Sequence, residues 1–180
     1  MSQQAKAFIT YLQGLHARED RRALAILRRG LTHDPGTDFR MFPYVEPFVA
    51  QASHERDARR LAMYAVASLY AQHPRQEDCS FGAAFGRLWR LFDERDSLEQ
   101  RFIGLLAADA ENIVAYLRHT VTLLAANDIG LDYVRLLDDL SRWMQPMIDP
   151  DTRDRIRQSW ARDFYRRSAG DAVADTFVQH

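Results

Sequence analysis

The side chains best suited to chemistry in this sequence are its arginines, because Lys6 is the single lysine among 24 lysines and arginines. A planar guanidinium binds phosphate through paired hydrogen bonds, whereas a lysine offers only a point charge. A coding bias toward arginine would produce the same composition, so composition alone leaves both explanations open. The spacing of the arginines is the more informative property.

Near the end of the chain, the segment SWARDFYRR, Ser159 to Arg167, mixes three aromatic residues with three arginines. At 100° per residue a helix here has an apolar side and an opposite cationic side. The apolar side carries Ile156, Trp160 and Phe164, and the cationic side carries Arg155, Arg162 and Arg166. We expect the aromatic residues to lie in the core. Arg166 and Arg167 could instead simply stabilise the last carbonyls of the helix.

Two further clusters of arginines occur earlier in the chain. Arg18, Arg22 and Arg29 align on one side of a predicted helix whose leucines point inward. Arg56, Arg59 and Arg60 lie at the start of another helix, where the helix dipole disfavours cations. A phosphate there would be held by the free amides and the arginines together. Pairing of these arginines with Glu55 and Asp57 is the alternative.

Residues with catalytic or metal-binding spacing are not found. The histidines at positions 16, 33, 54, 73, 119 and 180 form no HExxH or HxxxH pair. Asp138 and Asp139 point about 100° apart on a helix, so they do not converge, and we expect a solvated face or ion pairs with Arg135 or Arg142. Cys79 is the single cysteine. We therefore predict no enzyme activity, no metal and no cofactor.

Length and composition favour one domain over residues 1–180, with the last ten or so residues as a flexible tail. The chain is 47% hydrophobic, and it contains neither an apolar run of membrane-spanning length nor a signal peptide. We expect a cytoplasmic protein without a membrane partner. The net charge of −1 argues against a free-standing, non-specific nucleic-acid binder.

Apolar residues recur with helical spacing almost throughout, which predicts an all-α protein. We expect a compact bundle of about eight to nine helices around a buried central helix at Arg60–Ala71, which is apolar on nearly every side. Gly82 and Gly86 share one helix face and would admit a close neighbour. Helix boundaries are predicted from Gly30 as a stop, Ser53, Ser80 and Asp109 as caps, and a capping box at Ser97–Gln100.

Several short pieces of the sequence, in their order and spacing, resemble the small subunit of the type I-E CRISPR Cascade complex, the CasB family. The pieces are LRRG, FPYVEPF, LYAQHP with CSFGAAFGRL, SLEQRFIGLLAAD, LRHTVTLL with IGLDYVRLLDDLSRW, and WARDFY. They extend over most of the chain. Each piece is unspecific alone, and the resemblance depends on their succession.

The resemblance implies an all-helical, non-catalytic subunit that binds nucleic-acid backbone and stabilises the R-loop of crRNA and target DNA, including the displaced strand. Its implied partners are the backbone and large subunits of Cascade, a second copy of itself, crRNA and target DNA. The implied nucleic-acid-binding residues are Arg28, Arg29, Arg56, Arg101, Arg118 and Arg142. A secondary basic ridge comprises Arg18, Arg22, Arg59, Arg155, Arg162 and Arg166. His119 departs from the family pattern, which often has a basic residue there.

Two other functions stay open on the sequence alone. A purely structural adaptor would use the same arginines to contact acidic protein surfaces. A helix-turn-helix regulator finds support in the short helices around Gly30 and Gly130. The resemblance alone does not decide whether the arginines of the last helix face nucleic acid or a neighbouring subunit.

Overall fold

The structure, a computed structural model, describes residues 2–50, 54–147 and 149–166. These ranges contain nine α-helices and no β-strand, which confirms the predicted all-α class. The helices are α1 Gln3–Ala17, α2 Arg21–Arg29, α3 Phe42–Val45, α4 Ala58–Gln72, α5 Phe81–Leu91, α6 Asp96–Leu106, α7 Ile113–Ala126, α8 Tyr133–Trp143 and α9 Pro150–Tyr165. The predicted cap at Ser53, the flexible tail and Arg167 lie outside the described residues.

Helix α4 is the buried centre of the bundle, as the sequence predicts. Every residue from Ala62 to Ala71 is buried, and α2, α7 and α8 pack against the helix. The helix begins at Ala58, two residues before the predicted start. The earlier start follows from Asp57, whose carboxylate accepts hydrogen bonds from the amides of Arg59 and Arg60 at 2.9 and 3.0 Å.

Helices α5 and α9 approach each other closely at two glycines. A Cβ atom added to Gly82 would collide with the backbone of Trp160, and one added to Gly86 would collide with the backbone of Phe164. The two glycines lie one turn apart on the same face of α5. The predicted close approach is therefore confirmed, and its partner is the last helix of the bundle.

The aromatic side chains of α9 lie in the core, as expected. Phe164 stacks on Phe102 with ring centroids 4.0 Å apart. Trp160 stacks on Trp143 with centroids 5.3 Å apart, and Ile156 is buried on the same side of the helix. The cationic side of this helix is thereby turned away from the core.

Asp139 has a different environment from the one the sequence predicts. Its carboxylate is half-buried and accepts a hydrogen bond of 2.8 Å from the indole Nε1 of Trp160. Burial raises the pKa of this carboxyl above its ordinary value, against the effect of that hydrogen bond. The prediction of a solvated or ion-paired Asp139 is wrong, because the partner indole lies on a helix that adjacent-residue spacing could not identify.

The predicted caps are confirmed in part. Ser80 Oγ accepts a hydrogen bond from the amide of Ala83, at the start of α5. Asp109 accepts from the amides of Glu111 and Asn112, so it closes the turn that precedes α7 rather than capping the helix itself.

The predicted capping box at Ser97–Gln100 is wrong, because α6 has already begun at Asp96. The preceding turn contains Asp93 and Glu94, both at positive φ, and it returns the chain to helical geometry directly after Arg95. Asp96 and Glu99 then place negative charge in the first turn, where the helix dipole favours it.

Gly30 directly follows the last residue of α2, as predicted. It does not end the helix by adopting a left-handed backbone conformation. Its φ is −53°, and the chain continues into a short 3-10 turn. A side chain at this position would collide with Met41 Sδ and Ser68 Oγ. Gly30 is required for the close packing of three segments rather than for backbone freedom.

We expect Gly82→Ala and Gly86→Ala each to lower the free energy of unfolding by about 1–3 kcal/mol, because the new methyl forces α5 and α9 apart. Denaturant unfolding measures the change. Gly14→Ala is the matched control, since a Cβ there meets nothing closer than 3.6 Å, and we expect it to stabilise helix α1 by about 0.5–1 kcal/mol. Equal stability of all three variants would show that the close approach is not required.

We expect Asp139→Asn to gain stability relative to the wild type as the pH rises from about 4 to 7. A carboxyl with a raised pKa in the folded state favours folding below its unfolded pKa, and that contribution is lost as the pH rises through the folded pKa. The asparagine keeps an acceptor for Trp160 and does not ionise. Denaturant unfolding at several pH values measures the difference, and Glu111→Gln, at an exposed carboxylate, controls for overall charge. A difference independent of pH would contradict the raised pKa.

Candidate nucleic-acid interface

Two arginine hydrogen bonds connect helices that are far apart in sequence. Arg28 Nε donates to the carbonyl of Ala71 at 3.0 Å, and Arg118 Nη1 donates to the carbonyl of Leu31 at 3.1 Å. The first bond satisfies a carbonyl in the last turn of α4, which lacks a helical partner. Together they bring Arg28, Arg29 and Arg118 to one region of the surface, at the carboxyl end of α4.

Helix α7 connects this region to α6. Leu117 faces the core, so Tyr116 and Arg118 project about 100° to either side of it and His119 projects outward. Arg118 reaches the segment after α2, whereas Tyr116 lies over α6 at Gly104.

Arg101 lies one helical turn before Gly104, so the helical spacing places it on the side of α6 on which Tyr116 rests. The surface across α6, α7 and the end of α2 contains four of the predicted residues. We call it the arginine surface, and its basic residues are Arg28, Arg29, Arg101 and Arg118. All four side chains are exposed.

Two of the three helices of the arginine surface, α2 and α7, contain no carboxylate, whereas α6 carries Asp96 and Glu99 in its first turn. Helix α7 carries Arg118 and His119 and contains no aspartate or glutamate. An anion that approaches α7 therefore meets positive charge without a competing carboxylate on that helix. The overall charge of −1 does not prevent such a local excess.

Arg56 and Arg142 belong to a second region at the opposite end of α4. Arg56 and Arg59 line a groove of about 450 Å³, and the other wall includes Ser141 and Gln145 near the end of α8. Arg142 is exposed next to Ser141. Over the 13 residues between Ala58 and Ala71, a helix rises about 20 Å. The six predicted residues thus form two groups rather than one.

The start of α4 does not combine free amides with all three arginines, as the predicted phosphate site requires. Asp57 already accepts hydrogen bonds from the free amides of this helix end. Arg60 turns inward, where its Nε and Nη2 donate to Glu46 Oε1 at 2.9 and 2.6 Å. The alternative of pairing with Glu55 and Asp57 is also only partly right, because Arg60 uses the backbone carbonyl of Glu55 and the more distant carboxylate of Glu46.

The secondary ridge is exposed along its whole length but is not one continuous surface. Arg18 and Arg22 lie on the turn between α1 and α2 and on α2 itself, and Arg29 follows two turns later on the same helix. This part therefore leads to the arginine surface. Arg59 lies at the groove. Arg155, Arg162 and Arg166 lie on the outer side of α9.

The ion pairs within the described residues use a different set of arginines. They include Arg21, Arg40, Arg60, Arg75, Arg87 and Arg157. None of the twelve predicted binding or ridge arginines is among them. The structure therefore separates arginines that pair with carboxylates of the protein from arginines that are left accessible.

Tyr116 is a surface residue that the sequence analysis overlooked. Its side chain is 42% exposed and lies over α6 at Gly104, on the side of α7 away from Arg118. The helical spacing of α7 could have identified Tyr116 as a surface residue. Its apolar stripe includes Ile113, Leu117 and Leu124, and position 116 falls beside this stripe rather than within it.

The helical fold and the accessible arginines define a class of protein, a helical body with a basic surface that is free to bind an anionic partner. The family described as CRISPR-associated protein Cse2 matches residues 23–165. The chain belongs to this family, which confirms the resemblance found in the sequence.

Individual relatives support the same assignment. A CRISPR-associated protein Cse2 from Thermus thermophilus is 38% identical over 150 residues, which is 83% of this chain and 82% of the relative. A crystal structure of CasB from M. ruber is 31% identical with a TM-score of 0.77, and the match covers 100% of both chains. A chain of a solved CRISPR RNA-guided surveillance complex is 26% identical with a TM-score of 0.74, over 91% of this chain and 92% of that chain.

The described part of the chain lacks two further kinds of feature, a membrane-spanning helix and a cluster of metal ligands. None of its helices has the length and apolar character needed to cross a membrane. Nor does this part contain a group of three or more histidine, cysteine, aspartate or glutamate side chains placed to hold a metal ion.

We expect Arg60→Ala to lower the free energy of unfolding by about 2–3 kcal/mol, because it leaves the Glu46 carboxylate without its partner. This is below the range for a fully buried pair, since the Glu46 side chain is 35% exposed. Arg59→Ala, one residue earlier and exposed, is the control, and we expect a change within about 0.5 kcal/mol. Urea unfolding measures both. Similar effects of the two substitutions would contradict the separation of structural from accessible arginines.

Proposed function

We propose that this chain is a non-catalytic subunit of a CRISPR surveillance complex that binds nucleic-acid backbone and stabilises the R-loop of crRNA and target DNA, including the displaced strand. The observation that carries the proposal is the arginine surface, where four exposed arginines from three helices lie outside the internal ion pairs. The proposed partners are the backbone and large subunits, a second copy of the chain, crRNA and target DNA.

The chemistry of the surface fits backbone rather than base recognition. Guanidinium groups bind phosphate oxygens in any sequence, and such contacts position a nucleic acid without specifying its bases. In a guided complex the sequence is recognised by pairing between guide and target, so its protein subunits need only hold the strands. A subunit with accessible arginines and a neutral body meets this requirement inside an assembly.

A structural adaptor is the second candidate, and the arginines of α9 favour it. Arg155, Arg162 and Arg166 lie on a helix that packs against α5 and α8, and this ridge is not part of the arginine surface. An acidic surface of a neighbouring subunit could bind this ridge while nucleic acid binds elsewhere.

A helix-turn-helix regulator is not supported by the structure. The segment after α2 is a 3-10 turn and a loop rather than a second helix. Helix α8, which follows Gly130, buries Tyr133, Leu137 and Leu140. The place around Gly30 therefore lacks the second helix of the motif, and α8 packs one face into the core.

We expect the combined change Arg101→Ala and Arg118→Ala to weaken binding of target DNA by the assembled complex. Each lost phosphate contact should make the slope of log affinity against log salt shallower by about 0.9 for duplex or 0.7 for single strands. Filter binding or fluorescence anisotropy at several salt concentrations measures the slope. The pair Arg21→Ala and Arg135→Ala removes the same charge outside both arginine groups and should leave the slope unchanged.

Two results would contradict this proposal in different ways. Unchanged affinity at every salt concentration, with the complex intact, would show that the arginine surface does not contact DNA. Loss of co-purification with the other subunits, with the variant chain still folded, would favour the adaptor instead.

A further inference from the structure

Tyr116 lies within the arginine surface, on the side of α7 that faces α6. Its ring is 42% exposed, and its Cε1 atom lies 3.6 Å from the position that a Cβ would take on Gly104. The ring therefore rests on α6 while part of it stays open to solvent. Arg101 lies on the α6 side of the ring, and Arg118 projects from the other side of α7.

Several other exposed aromatic side chains have an evident partner within the protein. The guanidinium of Arg60 lies 5.6 Å from the ring centroid of Phe42, and that of Arg95 lies 5.7 Å from the ring of Phe92. The Tyr165 hydroxyl donates to Glu99 at 2.7 Å.

Tyr116 has no such partner in the described part of the chain. Phe39 also has no such partner and is more exposed than Tyr116. It directly follows Asp38 in a segment that also contains Asp34. Among these exposed rings, Tyr116 is the one on a helix that carries an accessible arginine and no carboxylate, and it rests on the helix that carries Arg101.

Aromatic rings between phosphate-binding cations are the arrangement that binds single-stranded nucleic acid. The cations hold the backbone, and the ring stacks on a base whose own neighbours have been separated. In a duplex the bases are stacked on each other and their faces are not accessible to a side chain at the surface. A ring at this position thus distinguishes an unpaired strand from a paired one.

We propose that Tyr116 stacks on an unpaired base and gives the arginine surface its preference for a single strand. The inference rests on the proposed function, since it requires that this surface binds nucleic acid. It adds a contact with a base face to contacts that otherwise involve phosphates. Because every base has such a face, the contact selects unpaired strands without selecting a sequence.

The test uses the full-length chain, free and in the assembled complex, with two fluorescent strands of equal length. One is oligothymidine and the other is an abasic strand with the same number of phosphates. We expect Tyr116→Leu to weaken oligothymidine binding by about fivefold to tenfold, the low end of the range for stacking, because the ring is only partly exposed. Binding of the abasic strand and the salt slope should not change.

Two further variants complete the design. Tyr116→Trp keeps a stacking ring and should retain binding of oligothymidine. Tyr165→Leu, at an exposed tyrosine bound to the Glu99 carboxylate, should leave binding of both strands unchanged. Thermal unfolding verifies that each variant chain is folded.

Three results would overturn the inference. Equal weakening for both strands would assign Tyr116 to the backbone or the fold, and no weakening for either would show that the ring does not contact the strand. Loss of incorporation into the complex, with strand binding by the free chain intact, would assign the ring to a protein partner. Failure of the proposed function itself would appear separately, as a wild-type salt slope that Arg101→Ala and Arg118→Ala do not alter.

Discussion

The burial of α4 is the constraint on which the rest of this structure depends. A helix that is covered on every side over the ten residues from Ala62 to Ala71 requires several neighbours, and each neighbour must offer it one apolar face. The opposite face of each neighbour is then left for solvent. The arginines of α2 and α7 lie on such outward faces. Arg28 also satisfies the carbonyl of Ala71, so the end of the buried helix directly orients one of the accessible cations.

Access to carboxylates, rather than the number of arginines, distinguishes the two roles of this residue type in the protein. Arg60 lies among Glu46, Tyr64 and the Phe42 ring, and its charge is satisfied inside the fold. Tyr64 donates to the same carboxylate oxygen as Arg60 does, at 2.5 Å, so this network needs both donors. The arginine surface differs, because Arg28 and Arg118 donate to backbone carbonyls and none of its four guanidinium groups pairs with a carboxylate in the described part of the chain. A chain with a net charge of −1 can therefore present a basic region to a partner.

The sequence predicted the features that depend on local spacing and missed those that depend on distant partners. Helical periodicity was sufficient for the all-α class, the buried α4, the inward Trp160 and Phe164, and the contact at Gly82 and Gly86. The bond from Arg118 to Leu31 joins residues 87 positions apart, and the bond from Trp160 to Asp139 joins residues 21 positions apart. The spacing of apolar residues along one helix does not predict hydrogen bonds between residues on different helices. The capping box at Ser97 failed for a related reason, because a strained turn before it determined where α6 begins.

The two arginine groups lie at opposite ends of the rigid helix α4, and this helix would set the distance between two contacts with one bound strand. Helix α4 is buried and cannot bend without disturbing the core, so the distance of about 20 Å between its ends is fixed by the helical rise. If both groups bind backbone, the subunit acts as a spacer between two phosphate contacts. Such a spacer recognises the path of a strand and not its sequence. The ring of Tyr116 lies in one group only, so discrimination between paired and unpaired bases would occur at that end of the helix.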